Sequence, residues 1–509
     1  MRWPSSVALT SSCKLMHELY IIGGALSWIL IAIVVIHVIM DNRQPAKTMA
    51  WALVIVFLPV VGIIFYLFFG LNHRRERLVE QRSLDQLSKR SMLGFVEQQN
   101  LRVPDTHKQL VDLFVNQNLS LPFKDNKVDI MTDGYAFFPE LLKDISGAKH
   151  HIHIDIYIFE EDALGNLVAD ALIDKAREGV KVRVIYDDVG CWRVRRRFFE
   201  RMREEGIEIL PFLPVHFPTF TSKVNYRNHR KLIVIDGHIG YVGGMNIAQR
   251  YVNTAWRDTM LRLEGGVVYS LQRAFLMDWY FVDRTLITDR VYYPAPDSSP
   301  SPLTPHHSPL TPHHSPLTSH PSPLQNNCLA QLVTSAPTNP YPEIMQGYVR
   351  AITAARRYVY IETPYFLPNE PVLFALKTAA VAGVDVCLLC PHHSDARFTE
   401  WASRSYLREL HEAGARIHLY EAGFLHSKLM IIDNALSTCG STNVDFRSFE
   451  NNFEANIFIY DEGTALRLKK VFLDDLSQST AFADVPTWAH PKFFPRLWES
   501  LTRLLSPLL

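Results

Sequence analysis

One pattern occurs twice, in register, in this chain of 509 residues: His-x-Lys, four residues, Asp, six residues, Gly, two residues, Asn. The first copy is His229, Lys231, Asp236, Gly243 and Asn246, and the second is His426, Lys428, Asp433, Gly440 and Asn443. A lone His-x-Lys strand reads as a half-exposed edge strand. Two matched copies read as a duplicated unit, and a duplicated unit must fold as two like halves that bring their polar residues to one place.

The surrounding elements repeat in the same order. HHIHIDIYIF (150–159) reads as a strand, LGNLVADALIDKAREGV as a helix ending near Gly179, and KVRVIYDD as another strand. RYVYIETPYF, EPVLFALKTAAVAGV (ending near Gly383) and DVCLLCP follow the same scheme. In each half a further helix and a short strand precede the motif. Alternating strands and helices imply an α/β fold with parallel or mixed sheets. Within each motif a strand rich in Ile or Val leads to a turn, Asp236-Gly237 or Asp433-Asn434, and an apolar return run. Period 2 places His229 and Lys231 on one face of that hairpin.

These residue types suit phosphodiester chemistry. Imidazole serves as nucleophile or proton donor near neutral pH, and two imidazoles in different environments can divide those tasks. Lys231, Lys428, Asn246, Asn443 and Ser441 supply hydrogen bonds and charge for phosphoryl oxygens. With these donors no divalent metal and no cofactor is expected. Asp258 and Glu454 follow their histidines by 29 and 28 residues, at the mouths of new strands, where a carboxylate can orient an imidazole. Asp236 and Asp433 sit at hairpin turns, and a structural role and a catalytic one stand equal for them. The first copy has Gly244 where the second has Ser441, so one half lacks a hydroxyl donor.

The N-terminus carries two apolar stretches, Leu19 to Met40 and Met49 to Gly70, each long enough to cross a bilayer. They predict a transmembrane hairpin, kinked at Pro59 in its second arm. Arg74, Arg75, Arg77, Arg82, Lys89 and Arg90 follow it, against Arg43 and Lys47 in its loop, which predicts a cytoplasmic catalytic domain. The balance of 52 basic and 52 acidic residues disfavours a nuclease, and no nucleic-acid partner is expected. Six scattered cysteines point to a reducing compartment, and Cys387-x-x-Cys390 reads as part of a core strand.

Three segments stand apart. A tandem array, SPLTPHH twice and then SPLTSHP (301–321), reads as an extended linker, because its prolines forbid helix and sheet. Arg193, Arg195, Arg196, Arg197 and Arg201 form a basic cluster, either for anionic head groups or as a solvated face. The C-terminal RLWESLTRLLSPLL places Leu497, Trp498, Leu501, Leu504, Leu505 and Leu508 on one helical side, for a membrane surface or for docking.

The doubled motif resembles the phospholipase D superfamily. The two apolar segments, IETPYFLPNEP (361–371), VGGMNI (242–247), GSTNVDFRS (440–448) and the terminal RLLSPLL resemble its bacterial cardiolipin synthase branch. The resemblance implies two tandem phospholipase D-like α/β repeats related by pseudo-twofold symmetry, with both histidines at their interface. On that reading residues 1–72 anchor the chain in the cell (inner) membrane, 73–120 connect, 121–290 and 327–483 are the repeats, 291–326 link them and 484–509 form an amphipathic tail. The implied reaction transfers a phosphatidyl group between two phosphatidylglycerol molecules, giving cardiolipin and glycerol through a phosphohistidine. His229 is taken as nucleophile and His426 as acid and base, an order that sequence symmetry does not decide. A hydrolase releasing phosphatidic acid, transfer to ethanolamine or serine, and a silent membrane scaffold are the rival readings.

Overall fold

The computed structural model describes residues 6–41, 45–70, 103–118, 120–215, 226–253, 255–294 and 328–506. The Pro/His array and most of the connecting segment lie outside the described residues. The chain divides into two compact units, Met1–Glu76 with Val215–Asn225, and Arg77–Pro214 with Tyr226–Leu509.

The first unit is built from apolar helices. Ser6–Asp41 contains Tyr20–Met40, the one helix among the described residues long and apolar enough to cross a membrane. Its Ile31 and Val38 pack with Ile55 of Pro45–Phe57 and with Tyr66 further along, while most of its other apolar side chains face outward. The second apolar stretch is not one kinked span. It stops at Leu58 (φ −131°, ψ 67°), and Pro59, which has no N–H to donate, begins a new helix, Pro59–Phe65. That helix folds back on the one before it: a Cβ at Gly62 would lie 2.7 Å from the Val54 carbonyl oxygen. The proline therefore acts as a helix start, and the break is sharper than the predicted kink.

The second unit holds the duplication. In the first repeat the strands lie in the order Glu208–Phe212, Lys181–Asp187, His151–Ile156, Lys231–Ile235, Ile239–Gly243, Met260–Glu264, Pro122–Met131. The second repeats it with Arg416–Tyr420, Asp385–Pro391, Tyr358–Glu362, Leu429–Ile432, Leu436–Gly440, Asn452–Ile459 and Cys328–Ser335. Antiparallel pairing of Pro122–Met131 with Cys328–Ser335 joins the two sheets edge to edge. The motif strands are buried on both faces, which explains their continuous apolar runs. Leu232 and Val234 point into a core shared with Leu429 and Ile431 of the other repeat, whereas Ile233 and Ile235 point to the helices outside. Cys387 and Cys390 fall on opposite faces of their strand and belong to different cores, as a core strand requires. The helix Asp105–Asn118, expected as a mere connection, packs on the second repeat, with Phe114 4.6 Å from Phe458 between ring centroids.

Two short parallel bridges cross between the repeats. Arg227–Asn228 pairs with Asn452–Phe453, and Phe424–Leu425 pairs with Trp256–Arg257.

The C-terminal helix Phe493–Leu504 docks by its polar side, through Glu499 to Arg408 (2.6 Å) and Arg503 to Glu409 (2.6 Å). Phe493, Phe494, Leu497, Leu501 and Leu504 are left exposed. Of the basic cluster, Arg195, Arg196 and Arg201 pair with Glu161, Glu200 and Asp170 on the surface.

Candidate active site

Each histidine is the first residue after a crossing bridge. The His229 N–H donates to the Phe453 carbonyl at 2.9 Å, and the His426 N–H to the Arg257 carbonyl at 2.7 Å. The residues after Phe453 and Arg257 are Glu454 and Asp258. The bridges therefore bring each carboxylate to the histidine of the opposite repeat. His229 Nδ1 lies 3.0 Å from Glu454 Oε1, and His426 Nδ1 lies 2.6 Å from Asp258 Oδ2. The pairing of each histidine with the carboxylate of its own copy, expected from spacing, is thereby corrected.

A carboxylate at Nδ1 selects the Nδ1–H tautomer and leaves Nε2 with its lone pair. Burial pushes the His229 pKa down to about 4, Glu454 pulling against it and Lys231 adding to it. Burial and then Lys428 take His426 to about 3, against Asp258. Both imidazoles therefore rest neutral at pH 7. Burial also lowers Lys231, to about 7, and Lys428. Both orienting carboxyls sit below their ordinary range: burial raises them, but Lys428 and His426 outweigh it at Asp258, and His229 and Lys231 at Glu454. Each lysine folds back on its motif: Lys231 Nζ donates to the His229 carbonyl at 2.6 Å, and Lys428 Nζ to the His426 carbonyl.

His229, His426, Asn246 and Asn443 line one cavity of about 550 Å³. Asn246 is held inside the protein, accepting from the Ile158 N–H at 3.1 Å and donating to Tyr251 Oη at 3.0 Å. Asn443 Oδ1 has no partner among the described residues. Ser441 is not on the cavity, contrary to expectation. Its hydroxyl donates to Glu454 Oε2 at 2.5 Å and so steadies the carboxylate behind His229. At the matching position a Cβ on Gly244 would meet Asp258 Oδ1 at 2.1 Å, so glycine there makes room for the other carboxylate.

Asp236 and Asp433 stand away from the cavity and do the same structural task. Asp236 accepts the N–H groups of Lys149, His150 and His151 at 2.8–2.9 Å, and Asp433 those of Arg356, Arg357 and Tyr358 at 2.7–2.9 Å. Each has positive φ (53° and 54°), as does the residue after it, which gives the tight turn of the hairpin. This removes them from the candidate catalytic set.

Several residues of the site were missed in the sequence. Arg250 and Arg447 line the cavity, each 21 residues after its histidine, so extending the register by four residues past the Asn would have found them. Tyr157 touches His229 edge to face at 4.9 Å, and Trp256 lies 5.2 Å from His426 between ring centroids. Behind the site, Arg230 donates to the Glu454 carbonyl at 3.1 Å and pairs with Asp278. Arg257 donates to the Asp258 carbonyl at 2.7 Å and to Asp475 at 3.0 Å. Beside them sit further buried carboxyls: burial lifts Glu362 to about 8, and burial and Asp278 raise Asp155.

Comparison with known proteins agrees with this geometry. The family model described as cardiolipin synthase, PLD-like domain, matches residues 141–279 and 348–476, and a phospholipase D-nuclease N-terminal model matches 29–70. The major cardiolipin synthase of Bacillus subtilis strain 168 is 38% identical over 94% of this chain and 97% of its own. Cardiolipin synthase 2 of Bacillus anthracis is 38% identical over 93% of this chain and 88% of its own. The chain belongs to the cardiolipin synthases of the phospholipase D superfamily. A phosphatidylserine synthase from Haemophilus influenzae Rd KW20 shares the fold at 13% identity (TM-score 0.57, 80% of this chain and all of that one). In this cardiolipin synthase family member the two histidines share a cavity of about 550 Å³, within the ordinary range of small-ligand sites.

Two outcomes follow from the site's physics. Asp236→Ala or Asp433→Ala strips an acceptor from three backbone N–H groups and should cost roughly 2–4 kcal/mol in chemical denaturation, while the folded fraction keeps its turnover. The buried histidines set an acid limit. His151 is held by burial at about 4, like His229, and His426 at about 3, whereas all titrate near 6.5 when unfolded. The unfolded chain therefore binds the extra protons, so stability is full above pH 6.5 and is lost as pH falls toward 4 and then 3. Each histidine contributes up to about 1.4 kcal/mol per pH unit over its window, read from denaturation midpoints against pH.

Proposed function

We propose that this protein transfers a phosphatidyl group from one phosphatidylglycerol to another, giving cardiolipin and glycerol. The observation that carries the reading is the crossed pair of His–carboxylate contacts, which sets two neutral imidazoles on one cavity. In the first half-reaction an imidazole Nε2 forms a bond to phosphorus and the phosphorus–oxygen bond to glycerol breaks. The second imidazole, protonated at Nε2 when the phosphodiester anion binds, gives that proton to the departing oxygen and becomes neutral. In the return, a glycerol hydroxyl of a second phosphatidylglycerol bonds to phosphorus, its proton goes back to the second imidazole, and the nitrogen–phosphorus bond breaks. Lys231, Lys428 and Asn443 supply charge and hydrogen bonds to the phosphoryl oxygens. Glu454 and Asp258 hold the rings and stabilise the imidazolium that forms.

The apolar helices of the first unit anchor the chain in the membrane, and the basic residues after them argue for a cytoplasmic catalytic domain. The outward apolar face of Phe493–Leu504 rests on the bilayer that holds the substrate.

Labelled phosphatidylglycerol given to the detergent-solubilised protein should yield cardiolipin and glycerol; phosphatidic acid alone would mean hydrolysis instead. His229→Ala and His426→Ala should each lower turnover by about 10²–10⁴. Only one of them should accumulate the covalent adduct, and that one keeps the nucleophile. The crossing makes a sharper demand: Glu454→Gln must behave as His229→Ala does, and Asp258→Asn as His426→Ala. The opposite pairing would sink the assignment. Leu501→Glu with Leu504→Glu should reduce activity on vesicles about tenfold or more and spare activity in mixed micelles.

A further inference from the structure

The two halves differ most where the duplication should make them alike. Register places Arg227 opposite Phe424 (197 residues apart) and Asn452 opposite Trp256 (196 apart). Each set is a crossing bridge, Arg227 beside Asn452 and Phe424 beside Trp256. On one side the cavity is lined by Trp256, 5.2 Å from the His426 ring, with Phe424 packed against both rings. At the matching bridge, next to the His229–Glu454 pair, Arg227 and Asn452 give the cavity a polar edge.

That polar edge is incomplete. Asn452 Nδ2 donates to Glu454 Oε1 at 3.1 Å, and an ionised carboxylate only accepts, so the amide cannot be turned round. Asn452 Oδ1 is left as an acceptor with no donor among the described residues, on a cavity-lining side chain only 7% exposed. Asn443 Oδ1, on a 5% exposed side chain in the same cavity, is also without a donor. Two buried oxygens of this kind are costly unless a ligand brings hydrogens to them. Arg227 lines the cavity as well, and its neighbour Asn228 is anchored to Asp187 (2.9 Å) and Asp155 (2.6 Å). Burial lowers the Arg227 pKa, Asp187 supports its charge and the guanidinium of Arg447 opposes it, so a further anion on the cavity side would be favoured by both arginines.

We propose that Arg227 and Asn452 form a head-group subsite for a polyol phosphate. A glycerol hydroxyl donates to Asn452, and the phosphate of the accepting lipid meets Arg227 and Arg447. The inference rests on the transferase reading and goes beyond it by naming what selects the acceptor. An amine head group could donate to Asn452 but would bring its ammonium to two guanidiniums. Water or a simple alcohol could satisfy Asn452 but brings no phosphate to the Arg227 side of the cavity.

The test is a competition for one covalent intermediate, so that the rate of forming it cancels. The full-length protein in mixed micelles receives labelled phosphatidylglycerol and ethanol, and the ratio of cardiolipin to phosphatidylethanol is measured. Arg227→Gln and Asn452→Leu should each lower that ratio about tenfold or more. Arg227→Lys, which keeps the charge, should hold it near the wild-type value. Trp256→Phe should slow both products together. An unchanged ratio in the first two variants, or an equal fall in Trp256→Phe, overturns the subsite. A Lys variant no better than the Gln variant overturns the role of charge. Wild-type protein that forms neither product condemns the transferase reading itself.

Discussion

The two crossing bridges are the constraint on which the active site depends. Each is only two residues long, yet each ends where a histidine and a carboxylate begin. Parallel pairing fixes the residue after Asn228 beside the residue after Phe453, and the residue after Leu425 beside the residue after Arg257. The histidine–carboxylate contacts are thus consequences of backbone pairing rather than of side-chain search, which keeps the reorganisation needed during catalysis small. Neither repeat supplies the carboxylate of its own histidine, so the two repeats build the site together.

Holding four ionisable side chains of the motif in a buried interface has an electrostatic cost, and the structure meets it with compensation at two depths. Asp258 and Glu454 face the lysines and histidines directly. Behind them, Arg230 and Arg257 are buried against carboxyls of the helices Val267–Asp283 and Glu462–Leu476. Removing one member of such a group exposes the others as uncompensated buried charge, so these arginines are bound up with stability as well as with position. The neutral resting state of the imidazoles follows from the same burial, and a bound phosphodiester anion would favour their protonation.

Duplication supplies symmetry, and chemistry needs its breach. Gly244 against Ser441 is a packing difference: one admits Asp258 and the other steadies Glu454. Arg227 and Asn452 against Phe424 and Trp256 is a difference in what each wall can bind. An enzyme joining two copies of one lipid has to treat them unequally, and a polar bridge in one half against an aromatic one in the other is a physical means to do so.

The duplication, the α/β order, the strand-turn-strand hairpins and the family were all legible in the sequence, because register and period are local properties of the chain. So was the meeting of His229 and His426 at one cavity, since two matched copies of a polar motif are explained by a shared place. The end of the first apolar helix and the start of the next were less so: Pro59 predicted a kink and made a new helix. Which carboxylate serves which histidine, why Ser441 faces inward, and why Asp236 and Asp433 brace backbone instead of touching substrate were decided by tertiary structure alone. The reason is that a bridge between distant segments leaves no period in either one. Sequence by itself determined the two histidines and the two carboxylates that orient them; the pairing of two folded repeats decided their wiring and what else lines the cavity.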